Sequence, residues 1–484
     1  MEEEQLVSAF DAMSFLSPPI VRSAGAILER SLFSKTFPIT AARITNPKKI
    51  SEYRSQFEKS RELLRLERLT NVQPDPDPTL ASKGTKCLLL SPIVKPEDQS
   101  TWSNILKEAV KTEDVNIVPY DLKLDYNYWT YHDIMKSILP DDAQEEIPVG
   151  FAIVGHVAHL NLRDEYLPYK KLIAEVLVDK NPGIRTVINK IDDVGTHSEF
   201  RTFSYEVLAG PDDMDVEISE GDCIFRFNYS KVYWNSRLQT EHKRLVDSFS
   251  PGEVVCDVMA GVGPFAIPAG KKGVFVWAND LNPDSYEAMI DAIKRNKVHH
   301  FVRPHCEDGH TFIRSAADNL LALASTGENT ISIPSRVYRS KSRTGPPPQP
   351  TVVTIPPTIS HFVMNLPATA IDFLGSFNGL YSGHEALFQE EGYKLPMIHV
   401  HCFSTKSDDN IAESHEICQK ITEKLGYKVH PRIGQGRNVN LEDWQKLKLD
   451  EGEVLVREVR DVAPKKRMFC ASFRVPREVA FRGR

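Results

Sequence analysis

A glycine pair between two apolar runs is the first place in this sequence where chemistry is expected. In "VVCDVMAGVGPFAIP", residues 254–268, Gly261 and Gly263 follow a strand-like run that ends near Asp257. Glycine lets the backbone approach a ligand closely, and a helix that begins after such a loop presents free N–H groups. Ala266 also satisfies the third position of the dinucleotide fingerprint. The loop alone therefore leaves a nicotinamide cofactor and other adenosine ligands open.

Three further polar positions follow apolar runs downstream, and they favour one adenosine ligand. Asp280, in "ANDLNP", is placed to accept both hydrogen bonds of a ribose diol, and Asp308, in "HCEDGHTF", to face an adenine amino group. Asn365-Leu366-Pro367 presents side-chain and backbone carbonyls that suit the amine or ring N–H of a planar base. Together these positions predict an S-adenosylmethionine pocket. The alternative is a structural glycine turn followed by unrelated polar strand ends.

The elements that must position these residues alternate between strand and helix. From about residue 232 onward this alternation is typical of a doubly wound parallel sheet. Pro283 and Asp284 open an amphipathic helix, and Gly426 ends another. Strands are predicted in "EVVCDV", "VFVWAND", "HFVMNLP", "MIHVHCFS" and "MFCASFRVP". The Pro-, Ser- and Thr-rich residues 322–360 are interpreted as a flexible insertion.

The texture of the chain predicts three domains within its 484 residues. Residues 1–145 form an N-terminal extension and recognition domain, residues 146–230 a small α+β domain, and residues 231–484 the sheet domain. Within the second of these, "VGFAIVGHVAHLNL" is expected to be one strand.

Composition excludes several classes of protein. No apolar stretch approaches the roughly 18 residues of a membrane span, so no membrane association is expected. None of the seven cysteines lies in a Cys-x-x-Cys pair, which fits a reducing compartment. The net charge of −7 leaves nucleic acid binding to local patches, and two basic segments stand out, Arg43–Arg68 and Arg457–Arg484. Each is either a candidate phosphate contact or a solvated helix face or frayed tail.

Five motifs together resemble a known family. In chain order they are "EFRTFSYEVLAG", "KVYWNSRLQTEHKRLV", "DVMAGVGPFAIP", "NDLNPDSYEAM" and "HFVMNLPATAIDFL". From about Pro19 to the C-terminus the chain is similar to the archaeal/eukaryotic-type tRNA (guanine-37-N1)-methyltransferases. The resemblance implies a Rossmann-like class I S-adenosylmethionine-dependent methyltransferase domain, preceded by a small α+β linker domain and an N-terminal tRNA-binding domain. It also implies methyl transfer to N1 of the guanine 3′ of the tRNA anticodon, which supports reading-frame maintenance.

The resemblance assigns roles to individual residues. Glu241 takes the N1 proton, because guanine N1 is protonated at neutral pH and needs a general base. Arg201 stabilises the charge that develops on O6, and Asn365 orients the base. Taken alone, Glu241 would be a surface residue of a charged helix and Arg201 the partner of a nearby acid. The implied donor contacts are His242, Asp280, Leu281, Asp308, Gly309, Asn365, Gly261 and Gly263, and the implied substrate contacts are Tyr233, Arg237 and Pro367.

The remaining expectations concern partners and rival functions. The partner is a tRNA with guanine 3′ of its anticodon, the protein is expected to be a monomer, and no metal is expected because the methyl group is already activated as a sulfonium. One rival is an aminocarboxypropyl transferase of wybutosine synthesis, and another is a catalytically silent tRNA-binding protein. The expected location is the cytoplasm, with the nucleus as a further compartment and with the mitochondrial matrix reached from an internal start at Met13.

Overall fold

The computed structural model describes residues 16–22, 27–144, 147–148, 150–191, 200, 202–333, 349–389, 392–432 and 449–483. The chain divides into two compact units. The smaller unit comprises residues 1–151, 159–189 and 207–211, and the larger unit comprises residues 152–158, 190–206 and 212–484. The three predicted domains, with boundaries after residues 145 and 230, stay a prediction.

The N-terminal part of the smaller unit is an antiparallel sheet with helices. In chain order its elements are β1 (Lys35–Ile44), α1 (Ile50–Lys59), β2 (Val72–Pro74), α2 (Pro78–Ser82), β3 (Lys86–Leu89), α3 (Asn104–Lys111), β4 (Val115–Leu124) and α4 (Tyr131–Ile138). The strand order is β2-β3-β1-β4. Phe57, Leu88 and Leu106 are fully buried in the core between helices and sheet.

The described part of residues 151–211 contributes four short strands and one helix. These are β5 (Phe151–Val154), β6 (Val157–Leu160), α5 (Lys170–Lys180), β7 (Thr186–Lys190) and β8 (Tyr205–Ala209). The expectation of one continuous strand in "VGFAIVGHVAHLNL" is wrong, because the chain turns at Gly155, where φ is +58°. A Cβ at this position would lie 2.9 Å from Cβ of Val216, so the turn requires glycine on two grounds.

The larger unit contains the remaining elements. They are β9 (Asp215–Glu220), β10 (Cys223–Asn228), α6 (Gln239–Ser248), β11 (Val254–Asp257), α7 (Ala266–Lys271), β12 (Phe275–Asn279), α8 (Pro283–Asn296), β13 (Val302–His305), α9 (Gly309–Thr326), β14 (Thr330–Ile333), β15 (Thr351–Thr354), β16 (His361–Met364), β17 (Met397–Ser404), α10 (Ile411–Leu425), β18 (His430–Pro431), β19 (Glu453–Ala463), β20 (Lys466–Arg474) and α11 (Arg477–Ala480).

The large sheet confirms the doubly wound prediction. Its eight strands have the order β13-β12-β11-β16-β17-β20-β19-β18, and the first five run parallel. Strand β20 is antiparallel to both β17 and β19. The chain runs outward from β11 to β13 and returns to pair β16 on the other side of β11. The carboxyl ends of β11 and β16 therefore flank the point where open α/β sheets bind ligands.

The helix ends follow the predicted signals. Helix α8 begins with Pro283 at its first position, and the side chain of Asn282 caps it by accepting from the amide of Asp284 at 3.0 Å. Helix α10 ends at Gly426, where φ is +64°. These local rules place the loops that precede α8 and α9 at the carboxyl ends of β12 and β13.

The interpretation of residues 322–360 as one flexible insertion is wrong at both ends. Helix α9 continues to Thr326, and β14 pairs with β15 in an antiparallel hairpin. Ile355 and Ile359 are fully buried in the main core. Apolar residues within a polar segment therefore anchor it, while residues 334–348 lie outside the described residues.

The C-terminal basic segment is part of the sheet rather than a frayed tail. Residues 457–483 form most of β19, all of β20 and α11. Arg467 is buried and bonds Asp461 at 2.7 Å, so some of the basic charge is used internally. Within the described ranges, no helix combines the length and the apolar character needed to span a bilayer.

Candidate active site

The glycine loop lies at the carboxyl end of β11. This is the switch point of the sheet, the place between β11 and β16 where the strand order reverses direction. Gly261 and Gly263 have φ values of +57° and +94°, which side chains rarely adopt. A Cβ on Gly263 would lie 2.9 Å from Cγ1 of Ile267, whereas the space beside Gly261 is open. The loop therefore brings bare backbone to the ligand edge of the sheet.

Asp280 ties this loop to the end of β12. Its Oδ2 accepts from the amide of Gly261 at 2.8 Å, and its Oδ1 accepts from the amide of Asn282 at 3.0 Å. Burial raises the pKa of Asp280, and these two amides oppose the rise. The carboxylate keeps further lone pairs, so it can hold the loop and still accept bonds from a diol.

Asp257 and Asn365 lie on either side of the switch point, and both carry side-chain oxygens that accept no hydrogen bond from the described residues. Both carboxylate oxygens of Asp257, which is fully buried, and Oδ1 of Asn365 lack a hydrogen-bond partner among the residues that the structure describes. Burial, then the charge of Asp280, raises the pKa of Asp257 to about 8, against smaller opposing effects of His401 and the Met259 amide. Buried acceptors without donors are costly, and a bound ligand that supplies donors would satisfy them.

The "NLP" segment differs from its expected role in one respect. The carbonyl of Leu366 accepts from the amides of Thr369 and Ala370 at 2.9 and 2.8 Å, and that of Pro367 accepts from Phe403 at 3.2 Å. These bonds hold the turn after β16. The predicted presentation of these two backbone carbonyls is therefore wrong, and the side chain of Asn365 is the acceptor that the turn leaves without a partner.

The other predicted donor contacts lie along the same edge of the sheet. Asp308 is exposed and caps α9, where Oδ1 accepts from the amides of His310 and Thr311 at 2.9 and 3.2 Å. Gly309 is buried, and a Cβ there would lie 2.9 Å from the ring of Phe373. The side chain of Leu281 is 42% exposed directly after Asp280, which leaves it accessible to a ligand.

Glu241 is buried in an ion pair rather than exposed on its helix. Arg244 donates to both carboxylate oxygens, from Nε to Oε2 at 2.7 Å and from Nη2 to Oε1 at 2.6 Å. His401, on β17, donates from Nε2 to Oε1 at 2.9 Å. Burial acts to raise the pKa of Glu241, but the bonds from Arg244 and His401 outweigh it and hold the pKa well below its usual range. The carboxylate is therefore ionised at neutral pH, as a proton acceptor must be.

His401 connects Glu241 to the switch point. Its Nδ1 lies 3.4 Å from the carbonyl oxygen of Met364, the residue before Asn365. Its charge also lowers the pKa of Asp257. The structure thus brings Glu241 to the same strand ends as Asn365 and Asp257, although these residues are far apart in the chain.

Glu241, His401 and Cys470 also have metal-ligating spacing, since their ligand atoms lie within 4.8 Å of one another. All three are buried. Arg244 already bonds both oxygens of Glu241, so a cation here would have to displace a guanidinium. The donor set is therefore that of an ion pair and does not favour a metal ion.

His242 packs against Phe265, which follows the glycine loop. It is buried, its Nδ1 lies 2.6 Å from Oε1 of Glu220, and its ring meets that of Phe265 edge to face with centroids 4.7 Å apart. Phe265 immediately precedes α7. The contact of His242 with the methyl donor stays a prediction.

Tyr233 and Arg237 precede α6, on the approach to Glu241. Arg237 is exposed, and Tyr233 is half-buried. Burial and then the charge of Arg237 lower the pKa of Arg460, while Tyr233 raises it, so the three groups are neighbours. Their contact with substrate stays a prediction, and Arg201 lies outside the described residues.

Sequence reasoning missed two members of the site, Arg244 and His401. The spacing of Glu241 and Arg244, three residues apart on a helix, is a signal for an ion pair. His401 follows Glu241 by 160 residues, so no local pattern joins them. Asp257 was noticed only as the acid that ends the strand before the loop.

Comparison with known proteins identifies the family of the chain. The model of the TYW2 N-terminal domain matches residues 131–213, and the model of the TRM5/TYW2 methyltransferase domain matches residues 217–331. A tRNA (guanine(37)-N(1))-methyltransferase of Neurospora crassa is 57% identical over 470 residues, which cover 97% of this chain and 95% of that protein. One of Fusarium vanettenii is 55% identical over 473 residues, 98% of each chain.

A solved structure shares the fold. The structure of aTrm5 in its complex with tRNALeu matches 90% of this chain and 99% of its own with a TM-score of 0.54 at 20% identity. This likeness confirms the Rossmann-like methyltransferase fold with preceding domains. On the strength of its near full-length identity to the fungal proteins, the chain belongs to the tRNA (guanine(37)-N(1))-methyltransferase family, which consists of S-adenosylmethionine-dependent enzymes.

Proposed function

We propose that the protein transfers a methyl group from S-adenosylmethionine to N1 of guanine 37 in tRNA, and so supports maintenance of the reading frame. The observation that carries the proposal is identity above half, over nearly the whole chain, to proteins named for this reaction. The switch-point geometry supports it, because a buried ionised carboxylate lies beside unpaired acceptors at one sheet edge.

The residues at the switch point fit the methyl donor. The ribose of the donor would be held by Asp280, and the backbone of Gly261 and Gly263 would approach the donor closely. The adenine would be lined by Leu281, Asp308 and Gly309. The unpaired oxygens of Asp257 and Asn365 suit the ammonium and N–H donors of an amino acid and a base. When bound, S-adenosylmethionine supplies a methyl group on a sulfonium centre, which needs no metal for activation.

The chain's own residues would handle the proton and the base. Glu241 accepts the N1 proton, since this nitrogen has no lone pair in the ring plane for attack until the proton leaves. Asn365 orients the guanine, Tyr233 stacks on it, and Arg237 and Pro367 border it. By the family resemblance, Arg201 neutralises the charge on O6. The target base must leave its stack to reach this buried carboxylate.

The test uses the full chain with isotopically labelled S-adenosylmethionine and two transcripts of one tRNA, with G or with A at position 37. Nucleosides are then identified by mass spectrometry. We expect 1-methylguanosine from the G37 transcript and no labelled product from the A37 transcript. A larger adduct on G37 would favour the aminocarboxypropyl transferase, and tRNA binding without any adduct would favour the silent binder.

The proposal also covers the cellular location and the oligomeric state of the protein. We propose a monomer that acts in the cytoplasm and also in the nucleus, with a mitochondrial form that begins at Met13. Imaging of tagged proteins begun at Met1 and at Met13 tests the last point, because identical cytosolic staining would contradict it.

The exposed members of the basic segments would contact tRNA phosphates, and higher salt should weaken that binding. Light scattering of the purified chain tests the monomer.

A further inference from the structure

His401 is fully buried on β17 and faces the carboxylate that we propose as the base. Its Nε2 lies 2.9 Å from Oε1 of Glu241, and its Nδ1 lies 3.4 Å from the carbonyl oxygen of Met364. The strand and the Met364 carbonyl together fix the direction of the ring. A buried histidine held at both nitrogens cannot turn away from Glu241 without losing a bond.

The bonds on Glu241 are distributed unevenly between its two oxygens. Among the described residues, Oε1 accepts from Arg244 Nη2 and from His401 Nε2, whereas Oε2 accepts from Arg244 Nε alone. A carboxylate oxygen has two lone pairs in its plane. Oε1 is therefore saturated, and Oε2 retains a lone pair.

We propose that His401 is a positioning residue for methyl transfer: by saturating Oε1 it leaves Oε2 of Glu241 as the oxygen that accepts the guanine N1 proton. The inference rests on the proposed function. In that step the N1–H bond would break and an Oε2–H bond would form, the electron pair of N1 would bond to the methyl carbon, and the S–CH3 bond would break with its electron pair left on the neutral thioether sulfur. One proton is released per methyl group when Glu241 ionises again.

The charge of His401 also bears on the strength of this base. The charged or titratable groups around it and Glu241 are Arg244 on α6, His399 on β17, Cys470 on β20, Arg457 on β19 and Asp257 on β11. Burial acts to lower the pKa of His401, but Cys470 and Glu241 outweigh it and raise the pKa to about 10. His401 is therefore an imidazolium at neutral pH, and its charge keeps the pKa of Glu241 low.

Four variants of the full chain separate positioning from general packing. His401→Phe removes both bonds, and His401→Gln keeps an N–H donor but removes the charge. His399→Phe and His399→Gln are the matched controls, because His399 is equally buried two residues earlier on β17 and bonds Ser472 and His361 instead of Glu241. Single-turnover methyl transfer to the G37 transcript is measured at neutral pH, with affinities for tRNA and S-adenosylmethionine measured separately.

We expect His401→Phe to lower the methyl-transfer rate constant about 10- to 100-fold, part of the roughly 10²- to 10⁴-fold effect of a general base. His401→Gln should recover most of that loss. Both His399 variants should keep a rate constant within about threefold of that of the wild type, and the affinities of all four variants for tRNA and S-adenosylmethionine should stay within about twofold.

Two results would overturn the inference. One is a His401→Phe rate constant within about twofold of that of His399→Phe. The other is a His401→Gln rate constant no higher than that of His401→Phe, because His401→Gln keeps the donor and avoids aromatic overpacking. Absence of any methyl on G37 with the wild-type chain is a separate outcome, which contradicts the proposed function and the role of His401 with it.

Discussion

Two groups of buried polar atoms meet at the strand ends of the larger unit, and they differ in how their hydrogen bonds are satisfied. Around Glu241, every carboxylate oxygen accepts at least one charged donor at 2.6–2.9 Å. Around the switch point, both oxygens of Asp257 and Oδ1 of Asn365 accept none within the described part of the chain. Both carboxylate oxygens of Glu241 are thus bonded without a ligand, whereas the acceptors at the switch point are not.

The difference separates two tasks. A carboxylate that must meet a reacting proton in one orientation gains from being fixed in advance by its own protein. Acceptors that must recognise a ligand stay unpaired until the ligand brings its donors, and the free energy of satisfying them then contributes to binding. Substitutions in the first group should therefore change the rate, and substitutions in the second should change ligand affinity or stability.

The largest effect is expected at Glu241. Glu241→Gln should lower the single-turnover methyl-transfer rate constant roughly 10²- to 10⁴-fold because the proton acceptor is gone. Affinity for S-adenosylmethionine should stay within about twofold. Since Arg244 loses its buried partner, unfolding should be about 3–5 kcal/mol easier, and melting curves must accompany the assay. Lys243→Gln, on the exposed side of the same helix, is the control. A Glu241→Gln rate constant within threefold of wild type would contradict the comparison.

The next effect concerns stability and pH at Asp257. Its folded pKa is raised from 3.8 to about 8, so its carboxyl contributes stability below pH 4 that is lost as pH rises toward 8. Asp257→Asn removes this dependence. Between pH 5 and pH 8, the free energy of unfolding of wild type relative to the variant should fall by on the order of 3 kcal/mol in urea titrations. Asp308→Asn, an exposed cap, should show no such trend, and parallel curves for wild type and Asp257→Asn would refute the raised pKa.

A smaller effect is expected at Asp280, which ties the glycine loop to the end of β12. Asp280→Asn removes one of the acceptors that hold Gly261 and Asn282. We expect the Kd for S-adenosylmethionine, measured by calorimetry, to rise about 10- to 100-fold, as for loss of a hydrogen bond to a charged group. Cys306→Ser is the control, because that thiol is exposed and, among the described residues, its one hydrogen-bond contact is with the Leu281 carbonyl at 3.9 Å. Equal affinities of Asp280→Asn and Cys306→Ser would remove Asp280 from the donor site.

The smallest effect is expected outside both groups, at Arg237. Arg237→Gln should raise the KM for tRNA a few-fold and reduce the slope of log affinity against log salt by about 1, because one phosphate contact is lost. The methyl-transfer rate constant at saturating tRNA should not change. Arg226, whose charge pairs with Glu217 on the neighbouring strand, provides the control variant Arg226→Gln. An unchanged salt slope in Arg237→Gln would take Arg237 out of the tRNA contact.

Local patterns predicted the fold well where local physics decides it. The structure confirms the glycine loop and the start of α8 at Pro283. It also confirms the apolar runs predicted as strands, which form β11, β12, β16, β17 and β20. Prediction failed where a distant contact overrode composition. Ile355 and Ile359 in a polar segment reach the core, and Gly155 breaks a strand-like run because Val216 lies against it.

The site divides in the same way. The residue types at the carboxyl ends of the strands were readable, because parallel strands bring their ends to one edge whatever the loops do. The use of the Leu366 and Pro367 carbonyls inside their own turn was not readable, since it depends on the amides of Thr369, Ala370 and Phe403. Of the two partners of Glu241, the sequence could predict only Arg244, which lies one helical turn away. His401 could not be predicted, because it comes from a strand 160 residues further along the chain.

The sequence by itself determined which side chains stand at the strand ends, because backbone periodicity and glycine conformation act over a few residues. The tertiary structure alone decided which of those side chains are already satisfied, because that depends on donors brought from strands and helices far along the chain. Burial amplifies the outcome, since in a dry environment a missing donor leaves Asp257 holding its proton toward pH 8 and three present donors keep Glu241 ionised.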